Sequence, residues 1–561
     1  MRNRRSVFTF LHKEIRGLHE AAYVLAGFTL GAQVFALLRD RIFAHVFGAG
    51  ETLDVFYAAF RIPDTLYVLL ASTVSLFVLI PFIEQAQKSG KESVHRFMSD
   101  MFSFFSGALV LLALIAWVYT PQLVALLYGG FESHMQDMLV PVVRILLLQP
   151  LFLGVSNLLA AYVQIRGRFL LYATAPILYN IGIILGAVCL YPLLGLSGLA
   201  WGVVLGAVLH LGVQMPFVVR EGVWPRLVWP DWRRVCEVVR VSIPRTVTLS
   251  ANQIVLLVLV SLTSFFSVGS ISSFTFAWNL AAVPLALIGV SYSVAAFPKL
   301  AHLYGNGDMR AYESLVMTAT KQIIFWALPV TVLFVVLRAQ IVRVLLGTGA
   351  FDWDATMMTA AVFALIVVSL VAQGLVVLLV RACYAAGKTT VPLVLNGVGA
   401  VGTIVSAFLL LYAVRVGVFD LEWFAHLMRV EDVAGAEVLL IALAYSLGSF
   451  VTMVLMVWYF ARHTKSFLRQ LRKTILQALT ASLLAGVVAY GVLNALDDVV
   501  SLKKTLGVFL QGLGAGVVGI TVWFGVLHVL QSTELLEART ALHKRITKKR
   551  LHDTQGSIGE G

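Results

Sequence analysis

Gly31-Ala-Gln-Val-Phe-Ala-Leu-Leu-Arg39-Asp40-Arg41, then the turn Phe47-Gly-Ala-Gly50, then Asp54 and Phe60-Arg-Ile-Pro-Asp64, sets charges and glycines between long apolar runs. Charged side chains in sequence that must lie in lipid are costly, so they face a cavity or a mouth rather than acyl chains. The stretch predicts a membrane-embedded cavity wall, provided the rest of the chain is built for a bilayer.

Composition meets that condition. Of 561 residues, 59% are hydrophobic and 13% charged, with a mean hydropathy of +0.88, whereas about a quarter of the residues of a soluble domain are charged. The chain reads as an all-α polytopic membrane protein. Its net charge of +13 falls in short loops between apolar runs, the pattern of cytoplasmic loops, so no nucleic-acid partner is expected. Cys189, Cys236 and Cys383 stand far apart without a CxxC spacing, which predicts neither a metal cluster nor a disulfide framework.

A spanning helix needs about 20 apolar residues, and the chain supplies about fourteen such runs, the first two near 21–46 and 53–83 and the last near 505–530. Alternate loops test that count. Lys88, Lys91 and Arg96, Arg166 and Arg168, Arg220 to Arg240, and Arg462 to Lys473 fall on one side; Glu132, Asp137, Asp352, Asp354, Asp420 and Asp497 fall on the other. The basic side is cytoplasmic, which predicts both termini in the cytoplasm. The first twenty residues lack an apolar core and read as a basic arm, not a cleavable signal.

The chain also repeats itself. Leu127-Tyr-Gly-Gly-Phe131-Glu132 matches Gly347-Thr-Gly-Ala-Phe351-Asp352, Pro176 to Asn180 matches Pro392 to Asn396, and Ser75 to Pro81 matches Ser293 to Pro298. The offsets cluster at about 216 to 220 residues, as a duplication requires. Two halves of about six spans each enter the membrane in the same direction, with a substrate path expected at their interface. The predicted organisation is a cytoplasmic arm (1–20), an N-terminal six-helix lobe (21–220), an interlobe linker (221–240), a C-terminal six-helix lobe (241–461), two additional spans (462–531) and a basic tail (532–561).

No enzyme constellation accompanies the charges: the carboxylates lack a nucleophile or oxyanion donor, the histidines form no ligand set, and Phe47 to Gly50 lacks the strand, Lys and Ser/Thr of a phosphate loop. Arginines in a cavity do suit a phosphorylated headgroup, because the planar guanidinium binds phosphate bidentately. Arg39, Arg61 and Arg245 are the candidates.

These residues resemble the MurJ-type lipid II flippases of the multidrug/oligosaccharidyl-lipid/polysaccharide exporter superfamily. The resemblance runs through Arg39-Asp40, Phe47 to Gly50, Asp54 and Phe60 to Pro63; Arg168-Phe169, Pro176 and Asn180; Gln253; Pro284, Gly289 and Phe297-Pro298; Gly349, Phe351 and Asp352; and Tyr384 with Pro392. It implies two six-helix lobes around a cationic cavity plus two C-terminal helices. It also implies alternating access that carries an undecaprenyl-diphosphate-linked peptidoglycan precursor to the outer leaflet of the bacterial cytoplasmic membrane. Arg39, Asp54, Arg61, Arg245, Gln253 and Asn279 are the expected cavity contacts, and Gly48, Gly50, Pro63 and Pro284 the expected gating or hinge positions. Three family arginines are replaced, by Gln33, Tyr67 and Asn279, which leaves open another polyprenyl-linked oligosaccharide as cargo, or a transport-dead scaffold for cell-wall enzymes. No enzyme activity, metal or cofactor is expected. The membrane potential or a monovalent ion is the candidate driving force, and anionic phospholipids at the basic loops and cell-wall synthesis enzymes are the candidate partners.

Overall fold

The computed structural model describes residues 18–71, 76–464, 467–497 and 505–537, without the side chains of 18–26, 71, 76–78, 244, 245 and 249. Most of the basic arm and of the tail therefore lies outside the described residues, as does the Arg245 side chain.

The described chain is almost entirely helical. Its helices are α1 (Leu18–Phe47), α2 (Glu51–Ala71), α3 (Leu76–Lys88), α4 (Lys91–Val118), α5 (Thr120–Leu127), α6 (Ser133–Leu146), α7 (Gln149–Ile165), α8 (Phe169–Leu185), α9 (Tyr191–Leu194), α10 (Leu196–Gly212), α11 (Met215–Arg220) and α12 (Trp232–Thr263). They continue with α13 (Ser270–Leu285), α14 (Ser291–Gly305), α15 (Met309–Val336), α16 (Arg338–Leu346), α17 (Trp353–Val368), α18 (Leu370–Ala385), α19 (Thr390–Arg415), α20 (Leu421–Met428), α21 (Val438–His463), α22 (Phe467–Asp497) and α23 (Thr505–Val529). Several begin at an acidic cap whose carboxylate accepts an otherwise unmet N–H: Asp231 from Arg233 (3.0 Å), Asp308 from Ala311 (3.1 Å) and Asp352 from Ala355 (2.8 Å).

Among the described residues, eleven helical segments are long and apolar enough to cross a membrane, and the bent pair α17–α18 makes a twelfth if counted as one span. The protein is an all-α multi-pass membrane protein, consistent with about fourteen spans. The two expected spans outside that tally are α1 and α2, the helices that carry the charges quoted first. Helix α2 alone holds Glu51, Asp54, Arg61 and Asp64.

The chain divides into two units that interleave along the sequence. One comprises residues 1–280, 345–362 and 389–448. In it α8, with the π-helical turn Gly186–Leu190 that continues it, packs on α10 through glycines: a Cβ on Gly182 would fall 2.2 Å from the Cα of Gly206, and one on Gly202 would fall 2.3 Å from the Cα of Gly186. The two backbones touch, as small residues allow in lipid. An apolar cluster of Leu79, Met98, Met101, Leu159, Val163, Val218 and Val238 joins α3, α4, α7, α11 and α12. Residues 223–231 run extended along α4. Trp224 O meets His95 Nε2 at 3.0 Å, Arg226 N donates to Ser99 Oγ, Val228 N to Ser103 Oγ (2.9 Å) and Asp231 N to Asp100 Oδ1 (3.2 Å). Asp100 is fully buried and also binds Arg96 and Arg234.

The other unit comprises residues 281–344, 363–388 and 449–561. There α22 packs between α15 and α23 with its small face inward (Ala478, Ala481, Ser482, Ala485, Ala489) and Leu476, Leu483, Leu484 and Val487 outward. Small residues inside and large apolar ones outside is the arrangement of a helix whose surroundings are lipid. Phe325 and Trp523 stack against that inner face.

Candidate functional site

The site is built within the first unit, where α1, α2, α7, α8 and α13 enclose a cavity of about 350 Å³. Arg39, near the end of α1, turns its guanidinium onto the neighbouring Asp40. Its Nε and Nη2 donate to Oδ1 at 3.0 and 2.7 Å, and its Nη1 donates to Asn180 Oδ1 of α8 at 3.2 Å. The other oxygen of Asp40 accepts from Asn279 Nδ2 of α13 at 3.0 Å. Asp40 is almost fully buried while the Arg39 side chain keeps 19% of its exposure. A buried carboxylate needs such partners, because a bare charge in a low-dielectric interior is far more costly than one paired and hydrogen-bonded. The cluster thus leaves an arginine that is held by neighbours yet open to the cavity.

Three carboxylates and two arginines surround or face this space, but they are used differently. Tyr57, Arg61 and Asp64 lie on one face of α2 at helical spacing and line the cavity. Asp64 accepts from Gln149 Nε2 at 3.3 Å, and Tyr67 is in contact with Asn157 through its hydroxyl. Arg39 with Asp40 and Arg61 with Asp64 make two opposite-charge sets, so the wall is close to electroneutral. Where the family resemblance implies arginines, Tyr67 and Asn279 supply uncharged hydrogen-bonding groups.

Asp54 belongs to the seal beside the cavity. Its Oδ2 accepts from Gly269 N at 2.7 Å and its Oδ1 from Ser272 N at 2.7 Å and Ser272 Oγ at 2.5 Å. Asp54 therefore caps the N-terminus of α13 from another helix, where orphan N–H groups and the helix dipole favour an anion. Three turns meet around this clasp. Gly269 has a φ of +93°, and a Cβ there would strike Ala49 O at 2.6 Å; Gly48, with a φ of +65°, likewise backs onto Ala350 O, and Ala350 N donates to His45 O at 2.9 Å. In the repeat-related motif, Gly130 backs onto the Phe265 backbone and Ser261 Oγ is hydrogen-bonded to Leu127 O. Each copy of the Gly-Phe-acid motif thus braces the turn that ends the first helix of the other half.

The structure brings Arg39, Arg61 and Asn279 together on the cavity, with Asp54 as the neighbouring clasp and Gly48 and Gly50 in its turn. Pro63 lies in α2 and Pro284 near the end of α13, in the other unit. Gln253 is half-buried on α12 and is not among the lining residues. The functional residues missed from sequence are Asp40 as the hub, Asn180, Gln149, Thr275 and the tyrosines 57, 67 and 179. Asn180 carried a signal in its place in the repeat. Asp40 carried one in its place between Arg39 and Arg41; the rest are single polar positions in apolar runs, and nothing in local sequence separates a wall residue from a packed one.

Comparison with known proteins follows the same lines. The model of the family described as lipid II flippase MurJ matches residues 43–507. A probable lipid II flippase MurJ of Buchnera aphidicola is 27% identical over 375 residues, covering 65% of this chain and 73% of its own length. The lipid II flippase MurJ of Burkholderia cenocepacia is 27% identical over 378 residues, covering 66% and 73%. Among solved structures, a lipid II flippase MurJ in an inward closed conformation superposes with a TM-score of 0.72 at 18% identity, over 90% of this chain and 98% of its own. An inward-facing multidrug transporter of the MATE family gives 0.62 at 14% identity, over 78% and 96%.

Proposed function

The chain belongs to the lipid II flippase MurJ family, and from that premise we propose that its cavity carries the headgroup of a lipid-linked cell-wall precursor across the membrane. The protein is a transporter, not an enzyme. It moves lipid II, an undecaprenyl-diphosphate-linked peptidoglycan precursor, from the inner to the outer leaflet of the bacterial cytoplasmic membrane.

The observation that carries the reading is the Arg39 cluster. An arginine already held by Asp40 and Asn180 is pre-oriented, and a diphosphate entering the cavity can take over its open guanidinium edge without first ordering the side chain. Because Asp40 stays bonded to Asn279, releasing Arg39 does not leave that carboxylate bare. The anion is held firmly enough to enter and weakly enough to leave, as a carrier requires: a ligand that strongly prefers one orientation of the site traps it there. The polyprenyl tail stays in lipid throughout.

The charge alternation of the loops supports cytoplasmic termini and, with them, an outer-side position for the Asp54 clasp. In this reading the clasp shuts the outer path while the headgroup loads from the cytoplasm, and Gly48 and Gly50 let that turn open. The membrane potential, worth about 2.3 kcal/mol per charge per 100 mV, or a monovalent ion supplies the direction. Anionic phospholipids meet the basic loops, and cell-wall synthesis enzymes are the expected protein partners.

The test is depletion in cells with measurement of the lipid-linked intermediate left on the inner leaflet, together with translocation of lipid II in vesicles. Lipid II accumulates when the protein is removed, and Arg39→Ala fails to restore flux. The neutral residues Gln33, Tyr67 and Asn279 favour a second reading, another polyprenyl-linked oligosaccharide. Normal peptidoglycan with lost surface polysaccharide would establish that cargo instead.

A further inference from the structure

Among the described residues, four buried polar atoms on side chains that line the cavity have no hydrogen-bond partner: Tyr57 Oη, Arg61 Nε, Gln149 Oε1 and Thr275 Oγ1. The residues Tyr57, Gln149 and Thr275 are exposed by only 6%, 3% and 4%. Native interiors satisfy nearly all such groups, so several unmet atoms on the side chains around one cavity point to a ligand that completes them as it enters. Thr275 makes the point locally. A helical threonine commonly bonds back to the carbonyl one turn earlier, as Thr120, Thr320 and Thr403 do here, yet the Thr275 hydroxyl does not.

We propose that Tyr57, Arg61, Gln149 and Thr275 form a subsite for the carbohydrate part of the headgroup, distinct from the diphosphate contact at Arg39. The donor and acceptor pattern selects the ligand class. Arg61 Nε offers a donor only, Gln149 Oε1 an acceptor only, and the two hydroxyls can do either. A phosphate accepts but does not donate, so it would leave Gln149 Oε1 unmet and would face the carboxylate of Asp64 on the same wall. A sugar hydroxyl or N-acetyl amide both donates and accepts and carries no charge, which suits a wall where Arg61 and Asp64 balance. The volume of about 350 Å³ lies at the small end of the roughly 300–1,000 Å³ range of ligand sites, room for a headgroup fragment rather than the whole polar part. This rests on the transport of a lipid-linked sugar proposed above.

The experiment uses the full chain in lipid nanodiscs with two probes, lipid II and undecaprenyl diphosphate without sugar. Tyr57→Phe and Thr275→Val each remove only an unpartnered hydroxyl. Each should weaken lipid II binding about three- to tenfold, the range for one neutral hydrogen bond, and leave undecaprenyl diphosphate binding and the unfolding temperature as in wild type. Arg39→Ala should weaken both probes. Equal losses for the two probes, or no loss in either hydroxyl variant, overturns the subsite and leaves the transport reading standing. A wild-type protein that binds neither probe above a phosphatidylglycerol control overturns both.

Discussion

Replacing Asp54 by Asn removes the charge from the clasp while keeping its shape. Asp54 accepts three hydrogen bonds, two of them from backbone N–H groups at the start of α13. Bonds to a charged acceptor contribute about 1.5–3 kcal/mol each. Asparagine has one carbonyl oxygen and turns an N–H₂ toward donors, so at least one bond is lost and the rest become neutral. Removing a buried charge offsets part of this, leaving a net weakening of about 2–4 kcal/mol, or about 30- to 700-fold in a local opening equilibrium. The assay is amide hydrogen exchange on the peptide spanning residues 265–276 in detergent or nanodiscs. The Gly269 and Ser272 amides should exchange faster by that factor in Asp54→Asn. Asp352→Asn, which loosens only the cap of α17, should leave them unchanged. Wild-type protection at 265–276 in Asp54→Asn refutes the clasp.

Gly202→Val drives a side chain into the Gly186 backbone and should cost about 1–3 kcal/mol or more, read as a lower unfolding temperature. Asp100→Asn loosens the extended segment 223–231; its arginine partners are about half exposed, so the effect is of order 1 kcal/mol, read as severalfold faster tryptic cleavage after Arg226. Burial alone would raise the Glu534 carboxyl, but hydrogen bonds from Thr474, Ser532 and Thr533 outweigh it and hold it below its ordinary value of 4.5. With a folded-state value below the unfolded one, its contribution is present above pH of about 5 and is lost as pH falls through 4.5 and below. Wild type should therefore lose more thermal stability than Glu534→Gln between pH 7 and pH 4.

The stretch from Gly31 to Asp64 was readable because the cost of a charge in lipid is local: Arg39, Asp40 and Asp64 must have partners wherever the chain goes. What local sequence does not carry is which partner. Asp54 finds Gly269 and Ser272 more than two hundred residues away, and Asp40 finds Asn279 at a similar distance. Asn279 stood out as a missing arginine. Folded, its amide satisfies the carboxylate that an arginine would have neutralised. The repeat was legible as spacing, and its physical content, two Gly-Phe motifs each bracing the opposite half's first turn, needed coordinates.

The glycine contact between α8 and α10 has a mechanical consequence. Most helix pairs slide on side chains, which change rotamer and absorb small shifts. Here backbone rests on backbone at Gly182, Gly186, Gly202 and Gly206, and no compliant layer separates the two rods. The pair is a stiff strut, and Tyr179, Asn180 and Ile183 are mounted on it. Changes in the width of the cavity then fall to α1, α2, α7 and α13, and the Arg39–Asn180 bond, which ties α1 to the strut, registers such displacement directly.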